Sequence, residues 1–246
     1  MENSPSILSQ IDRENLPKHI GIIMDGNGRW AKKKGLGRTF GHKNAVDAVR
    51  AALEACQKLE IPYLTLYAFS TENWSRPKTE VTMLMGLLNQ MIQKELSVLD
   101  KNNIRILAVG DTSKLPQEVE KSLLAAIEKT AKNTGSTLSL ALNYGGKEDI
   151  LQAINGLIEK GEKNINEEKL KAELYTKDLP PLDLTIRTSG ELRISNFLLW
   201  DIAYSELYFT DILWPDFNQE SLFNAIFDFQ KRERRFGKIS EQLSKH

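Results

Sequence analysis

The stretch His19-Ile20-Gly21-Ile22-Ile23-Met24-Asp25-Gly26-Asn27-Gly28-Arg29-Trp30 decides how this chain is read. Its first half is short and apolar, the pattern of a strand buried in a sheet. The run stops abruptly at a carboxylate, followed by two glycines and an arginine. Glycines let backbone N–H groups close on phosphate oxygens, arginine adds a forked cationic donor, and aspartate can hold a divalent cation. Residues 25–30 therefore have the chemistry of a diphosphate and metal site. Alone they also fit a strand ending in an Asn-Gly turn, so segments further along must decide.

Outward from this stretch, apolar runs at 19–24, 63–69, 104–109, 138–142, 184–187 and around 204–209 alternate with helical patterns. Those patterns fall near 43–59, 80–101, 116–132, 147–160, 167–175 and 219–236. Leu115-Pro116-Gln117-Glu118 puts proline in a first turn ahead of acids, a helix start. The alternation predicts an α/β fold: a single domain with a mostly parallel six-stranded sheet flanked by helices. No repeat or low-complexity linker divides it. Residues 1–17 are expected to be a flexible lead-in and 18–246 the domain proper.

Composition limits what the domain can be. Hydrophobic residues make up 41% and charged residues 27%, enough apolar material for a full core. Lysine plus arginine equals aspartate plus glutamate at 33 each, so nothing marks a general nucleic-acid binder and an anion site must be built locally. The single cysteine, Cys56, rules out an internal disulfide and suits a reducing compartment. Its surroundings, Ala51-Ala52-Leu53-Glu54-Ala55-Cys56, look like the packed side of a helix. No signal-peptide pattern opens the chain and no apolar stretch is long enough to span a bilayer, so a cytoplasmic protein is expected.

In open parallel sheets, ligands bind beyond the carboxyl ends of the strands. The first run ends at Asp25. The second leads into Ser70-Thr71-Glu72-Asn73-Trp74-Ser75-Arg76-Pro77, and the fifth into Arg187-Thr188-Ser189-Gly190-Glu191-Leu192-Arg193-Ile194-Ser195-Asn196. Each loop alone could be a solvated turn. Three polar, arginine-bearing loops on one rim are harder to explain that way.

These residues match a family pattern. Asp25-Gly26-Asn27-Gly28-Arg29-Trp30, Gly37-Arg38 with Gly41-His42, the segment 69–76 and the segment 187–200 stand in the order seen in the cis-prenyltransferases, and the chain resembles that family from about Lys18 to Gly237. Among its members it is most similar to the bacterial undecaprenyl diphosphate synthases. Ser189 stands where some members carry glycine, with Gly190 keeping the turn. The resemblance implies a catalytic domain that elongates an allylic diphosphate, usually farnesyl diphosphate, with successive units of isopentenyl diphosphate in cis geometry. It also implies Mg²⁺ and a homodimer.

By position, Asp25 resembles the catalytic, metal-binding aspartate, and Glu206 the second metal ligand. Gly26, Asn27, Gly28, Arg29, Trp30, Arg38 and His42 match the allylic-diphosphate cradle. Ser70, Thr71, Glu72, Asn73, Trp74 and Arg76 match a second substrate-contact segment. Arg187, Arg193, Ile194 and Ser195 match the isopentenyl-diphosphate site. Asn73 is cast as the catalytic proton acceptor, but a neutral amide is a poor base, and orienting a water or the substrate suits it better. Arg235-Phe236-Gly237 resembles a motif that, in relatives, reaches the partner subunit's active site.

A growing prenyl chain needs a dry tunnel. Residues 81–92 are apolar around most of a helix circumference and carry three methionines, Met83, Met85 and Met91, which suits a flexible lipid as well as an ordinary core. Product length is not fixed by these motifs; bacterial-type features favour fifty-five carbons, a carrier for cell-wall sugars, with transient membrane contact on release. A nucleotide kinase or hydrolase is the first rival, but the glycine-plus-lysine phosphate loop and the dinucleotide fingerprint are missing. A non-catalytic partner subunit is the second, and it should lack Asp25, Arg29 and Glu206.

Overall fold

The computed structural model describes residues 6–236 and Ile239. Six strands form one sheet: β1 His19–Ile23, β2 Tyr63–Ser70, β3 Arg105–Val109, β4 Thr137–Tyr144, β5 Leu184–Arg187 and β6 Glu206–Phe209. Their order across the sheet is β3-β4-β2-β1-β5-β6, and every neighbouring pair is parallel. The helices are α1 Asn27–Lys33, α2 Arg38–Lys58, α3 Lys78–Lys101, α4 Gln117–Thr130, α5 Gly146–Glu159, α6 Glu167–Glu173 and α7 Gln219–Gln230. The predicted architecture is the observed one.

All five residues of β1 are buried, as a central strand covered on both faces requires. Ile20 and Ile22 enter a core shared with Ala48 and Ala52 of α2 and Leu222 and Ile226 of α7. Each fully buried isoleucine contributes about 1.5–3 kcal/mol. The alternate positions turn to the other face, where Ile23 packs with Leu182 and Phe197. Gly21 leaves room there: a Cβ on it would lie 2.9 Å from Phe197 Cε1. The chain leaves β1 toward β2 but leaves β5 toward β6, so the loops after these two neighbours diverge. That divergence opens a crevice at their carboxyl ends.

Three expectations change. The Gly-Asn-Gly segment is not a simple turn, because Gly26, at φ 107°, caps the seven-residue helix α1. Only glycine meets that φ cheaply, and a Cβ there would lie 2.9 Å from Leu213 Cδ2. α2 starts at Arg38 rather than near 43, and α7 stops at Gln230 rather than 236. The lead-in is docked from Ile7 onward: Ile11 is buried, and Ile7, Leu8 and Leu16 pack against the main core. Gln230 closes the contact by donating from Nε2 to the Asp12 and Asn15 carbonyls at 2.6 and 2.7 Å.

Candidate active site

Asp25 sits two residues past the end of β1, beside the end of β5. Its backbone N–H donates to Thr188 Oγ1 at 2.9 Å, and that hydroxyl donates to the Asp25 carbonyl at 2.6 Å. This bracket fixes the turn. The carboxylate then accepts from the Gly26 N–H at 2.6 Å, from Arg187 Nη2 at 3.0 Å and from Arg29 Nη2 at 3.4 Å. Burial alone would raise its pKa, but the Arg187 hydrogen bond and the Gly26 N–H outweigh burial, and the net shift is downward. Asp25 is an ionised oxygen donor at neutral pH.

Arg187 is the buried cation of the site, with only 5% of its side chain exposed. Its Nη1 donates to the Arg193 carbonyl and, at 2.6 Å, to Ser195 Oγ. The loop after β5 thus folds back over the guanidinium. Arg193 stays 64% exposed and pairs with Glu191, so its guanidinium is free to turn toward a ligand. Arg29 reaches the same loop, donating to the Ser189 carbonyl at 2.8 Å and to Ser189 Oγ at 2.5 Å. Ser189 and Gly190 both have positive φ, 79° and 74°, so Gly190 does not carry the turn alone.

The loop after β2 is tied to the same rim. The Ser70 N–H donates to Asn73 Oδ1 at 3.2 Å within a capping box. Trp74 Nε1 donates to Asn143 Oδ1 at 2.7 Å. Asn196 Nδ2 bridges to Glu72 Oε1 and Glu148 Oε2, each at 3.0 Å. Tyr67 Oη donates to the Tyr144 carbonyl at 3.1 Å. Three loops therefore converge, joined by Asn196, Tyr67 and Thr188, which the sequence reading did not single out as site residues. Thr188 and Asn196 lie within the segment 187–200 that matches the family pattern, whereas Tyr67, inside β2, carries no signal short of the fold.

Behind Asp25 lies a cavity of about 510 Å³ between α2, α3 and the sheet. Asp25, Gly26, Gly28, Arg38, His42, Asn73 and Arg76 line its polar end; Val46, Val49, Leu53, Leu84, Leu88, Met91 and Leu140 line the apolar remainder. Glu80 holds the mouth arginines, 3.2 Å from Arg76 Nη1 and 3.5 Å from Arg38 Nε. Asn27 Nδ2 lies 3.4 Å from His42 Nδ1, and both Asn27 Oδ1 and His42 Nε2 are buried without a protein partner. Burial, then the Arg76 charge, lowers the His42 pKa to about 4, so the ring is neutral at physiological pH. Gly41 lets α2 pass α1: a Cβ there would stand 1.9 Å from the Asn27 carbonyl oxygen.

Two predicted site residues lie elsewhere. Glu206 opens β6 in register with Leu184, which is itself level with Ile20. That is five positions short of Asp25, or roughly 15 Å along the strands. Glu206 instead accepts from Arg232 Nη1 at 3.0 Å. The two carboxylates cannot share a cation within one chain, because parallel register puts them at opposite ends of the sheet. Trp30 is 7% exposed, clusters with Ala31 and Leu213, and donates to Asp216 Oδ1 at 2.7 Å, so it anchors α1 and does not face the cavity. Among the described residues no group of three or more His, Cys, Asp or Glu side chains gathers to hold a metal. Gly237 of the predicted terminal motif lies outside the described residues.

Comparison with known proteins bears on this site directly. A family model described as "Putative undecaprenyl diphosphate synthase" matches residues 23–237. An isoprenyl transferase of Clostridium perfringens is 53% identical over 232 residues, covering 92% of each chain. A ditrans,polycis-undecaprenyl-diphosphate synthase of Vibrio vulnificus, specific for (2E,6E)-farnesyl diphosphate, is 51% identical over 96% of each. Among solved structures, lavandulyl diphosphate synthase from Lavandula x intermedia, in complex with dimethylallyl diphosphate, superposes with a TM-score of 0.88 at 34% identity, covering 92% of this chain and 100% of that one. A "probable undecaprenyl diphosphate synthase" from Campylobacter jejuni gives 0.78 at 36% identity, over 91% and 100%. The match spans the crevice, its three loops and the cavity walls alike, and the chain belongs to the undecaprenyl diphosphate synthase family.

Proposed function

We propose that the protein condenses isopentenyl diphosphate repeatedly with an allylic diphosphate, farnesyl diphosphate as starter, to give undecaprenyl diphosphate. The observation that carries this is an anion-binding rim, built from Asp25–Arg29, Arg187 and Arg193, at the mouth of an apolar cavity of about 510 Å³. A polar clamp that opens into a dry hollow suits an amphiphile with a diphosphate head and a prenyl tail. It does not suit a nucleotide, whose base and ribose need polar partners.

In each cycle the allylic C–O bond breaks, pyrophosphate leaves, a carbon–carbon bond forms to the isopentenyl unit, and that unit gives up a proton to a diphosphate oxygen or to Asp25. Negative charge grows on the leaving oxygens. The backbone N–H groups of Asn27 and Gly28, with Arg29 and Arg38, stabilise that charge more strongly in the transition state than in the ground state. Arg187, Arg193 and Ser195 hold the second diphosphate. His42, neutral, is suited to hydrogen bonding and not to ion pairing. Asn73 is held by the Ser70 N–H through Oδ1, which leaves its NH₂ group to orient substrate or water.

Asp25 is the carboxylate that suits Mg²⁺, which binds through one or two carboxylates and completes its shell with phosphate oxygens and water. When bound, the ion neutralises charge on the diphosphates. The edge strand β6, where Leu207 is 37% exposed, and Tyr204 in the turn before it, 70% exposed, support a homodimer through that edge. Incubating the protein with farnesyl diphosphate and labelled isopentenyl diphosphate, with and without Mg²⁺, tests the reading. Long-chain labelled product only with metal is expected; no incorporation under either condition overturns it.

A further inference from the structure

The chain is neutral overall, yet its charge is unevenly placed. Between Asp25 and Asp47 it carries no acidic residue and six cationic ones: Arg29, Lys32, Lys33, Lys34, Arg38 and Lys43. These residues form α1, the start of α2 and the corner between them. Arg29 and Arg38 belong to the site. The four lysines do not line the cavity, and all four are exposed. Among the described residues none of them pairs with a carboxylate. Lys34 instead lies 4.2 Å from the Trp30 ring centroid, and Lys43 lies 5.7 Å from that of Phe40.

A solvated basic helix face is the ordinary explanation for lysines alone. Two further observations set this corner apart. Leu36 and Phe40, large and apolar, stand 40% and 48% exposed among the lysines. The corner also borders the cavity mouth, which Arg38 and His42 line. Exposed apolar side chains ringed by unpaired lysines are what binds a surface both anionic and greasy.

We propose that the α1–α2 corner docks the protein on an anionic lipid bilayer, with Leu36 and Phe40 inserted at headgroup depth and Lys32, Lys33, Lys34 and Lys43 against the lipid charges. The cavity mouth, where the diphosphate head sits, then opens at headgroup depth, the level at which a prenyl diphosphate rests in a bilayer. The role assigned to the mouth rests on the proposed reaction; the docking itself rests only on charge and exposure.

The test is co-sedimentation of the full chain with vesicles of phosphatidylcholine alone or mixed with phosphatidylglycerol, without substrate. Binding to the mixed vesicles that weakens with added salt is expected. Lys32→Gln/Lys33→Gln/Lys34→Gln should weaken it by at least tenfold, since each lysine near an anionic surface is worth about fivefold. Leu36→Ser/Phe40→Ser should weaken it at low salt and abolish it at high salt. The triple lysine variant should keep its melting temperature and its turnover in detergent. Equal binding by wild type and triple variant, equal binding to both vesicle types, or binding to duplex DNA but to neither vesicle overturns the proposal. Turnover in detergent is a separate readout, so loss of the reaction and loss of docking cannot be mistaken for each other.

Discussion

Arg187 Nη2 lies 3.0 Å from Asp25 Oδ2, joining the ends of neighbouring strands β5 and β1. The arginine is 5% exposed and the aspartate 34%, so the pair is buried on one side and open to ligand on the other. Arg187 does two jobs at once: it keeps Asp25 ionised and it pins the return of its own loop through Ser195. Replacing Arg187 with glutamine removes the strongest influence lowering the Asp25 pKa and leaves burial to raise it. The acid limb of kcat/KM should move to higher pH, and activity at neutral pH should fall by about 100-fold or more. Arg187→Lys keeps the charge but loses the fork, so it should restore the pH profile while remaining impaired. A pH–rate profile of the three proteins checks this; an unmoved acid limb in Arg187→Gln counts against the coupling.

His42 gives a second pH signature, in stability. Its folded pKa of about 4 lies below the ordinary 6.5, chiefly because burial disfavours the imidazolium. As pH falls, the unfolded chain takes up the proton first. The His42 contribution is therefore complete above pH 6.5 and is lost progressively down to about pH 4, by on the order of 3 kcal/mol. His42→Gln cannot titrate, so the difference in unfolding free energy between wild type and variant should narrow on acidification across that window. Urea titrations at several pH values measure it; a constant difference means the ring does not titrate in that range.

The sheet was legible because parallel strands buried on both faces leave short runs rich in apolar, aromatic and β-branched residues, and 19–24, 63–69 and 184–187, the last ending in the buried Arg187, all do so. The loops were legible as chemistry because glycine, arginine and carboxylate seldom crowd at three strand ends without a ligand. α1 was hidden because Asn27-Gly28 reads locally as a turn, and only tertiary packing of Trp30 and Leu213 makes it helical. Glu206 was matched to a metal ligand by family resemblance alone, and a match by position carries no strand register. Once β6 pairs in parallel with β5, its first residue must fall at the far end. Ile7 to Leu16 look polar and punctuated, but a few apolar residues at the right positions are enough to dock them.

Ser189 carries a conformational cost that its sequence position conceals. At φ 79° its backbone is in the region that favours glycine, a penalty of roughly 1–2 kcal/mol for a side chain. Its hydroxyl repays part of this by accepting from Arg29 Nη2 at 2.5 Å. Ser189→Gly should therefore raise the melting temperature, or leave it unchanged, while weakening the hold on Arg29 and raising KM for the allylic diphosphate several-fold. Ser189→Ala keeps the strain and loses the hydrogen bond, so it should be worse on both counts. Thermal melts with substrate-saturation curves separate the two effects; a Ser189→Gly protein less stable than Ser189→Ala contradicts the strain argument.

Arg50 and Glu95 clasp the long helices over the cavity. Arg50 Nη2 donates to Glu95 Oε1 at 2.5 Å and Nε donates to Oε2 at 3.1 Å, a two-pronged contact from α2 to α3. Both residues line the cavity, whose volume of about 510 Å³ is in the range of small-ligand pockets and too small for a long polyprenyl tail. The tail can lengthen only if α2 and α3 part, and this pair resists the parting. Arg50 is 40% exposed, so the pair adds little to global stability, below about 1 kcal/mol, yet it bears directly on the seam. Glu95→Gln should shift products toward longer chains and speed multiple turnover by a few-fold, with a nearly unchanged melting temperature. Leu88→Trp, filling the same space, should shorten them. Chromatography of the prenyl products reads both variants; unchanged lengths in the two together mean that this cavity does not house the growing chain.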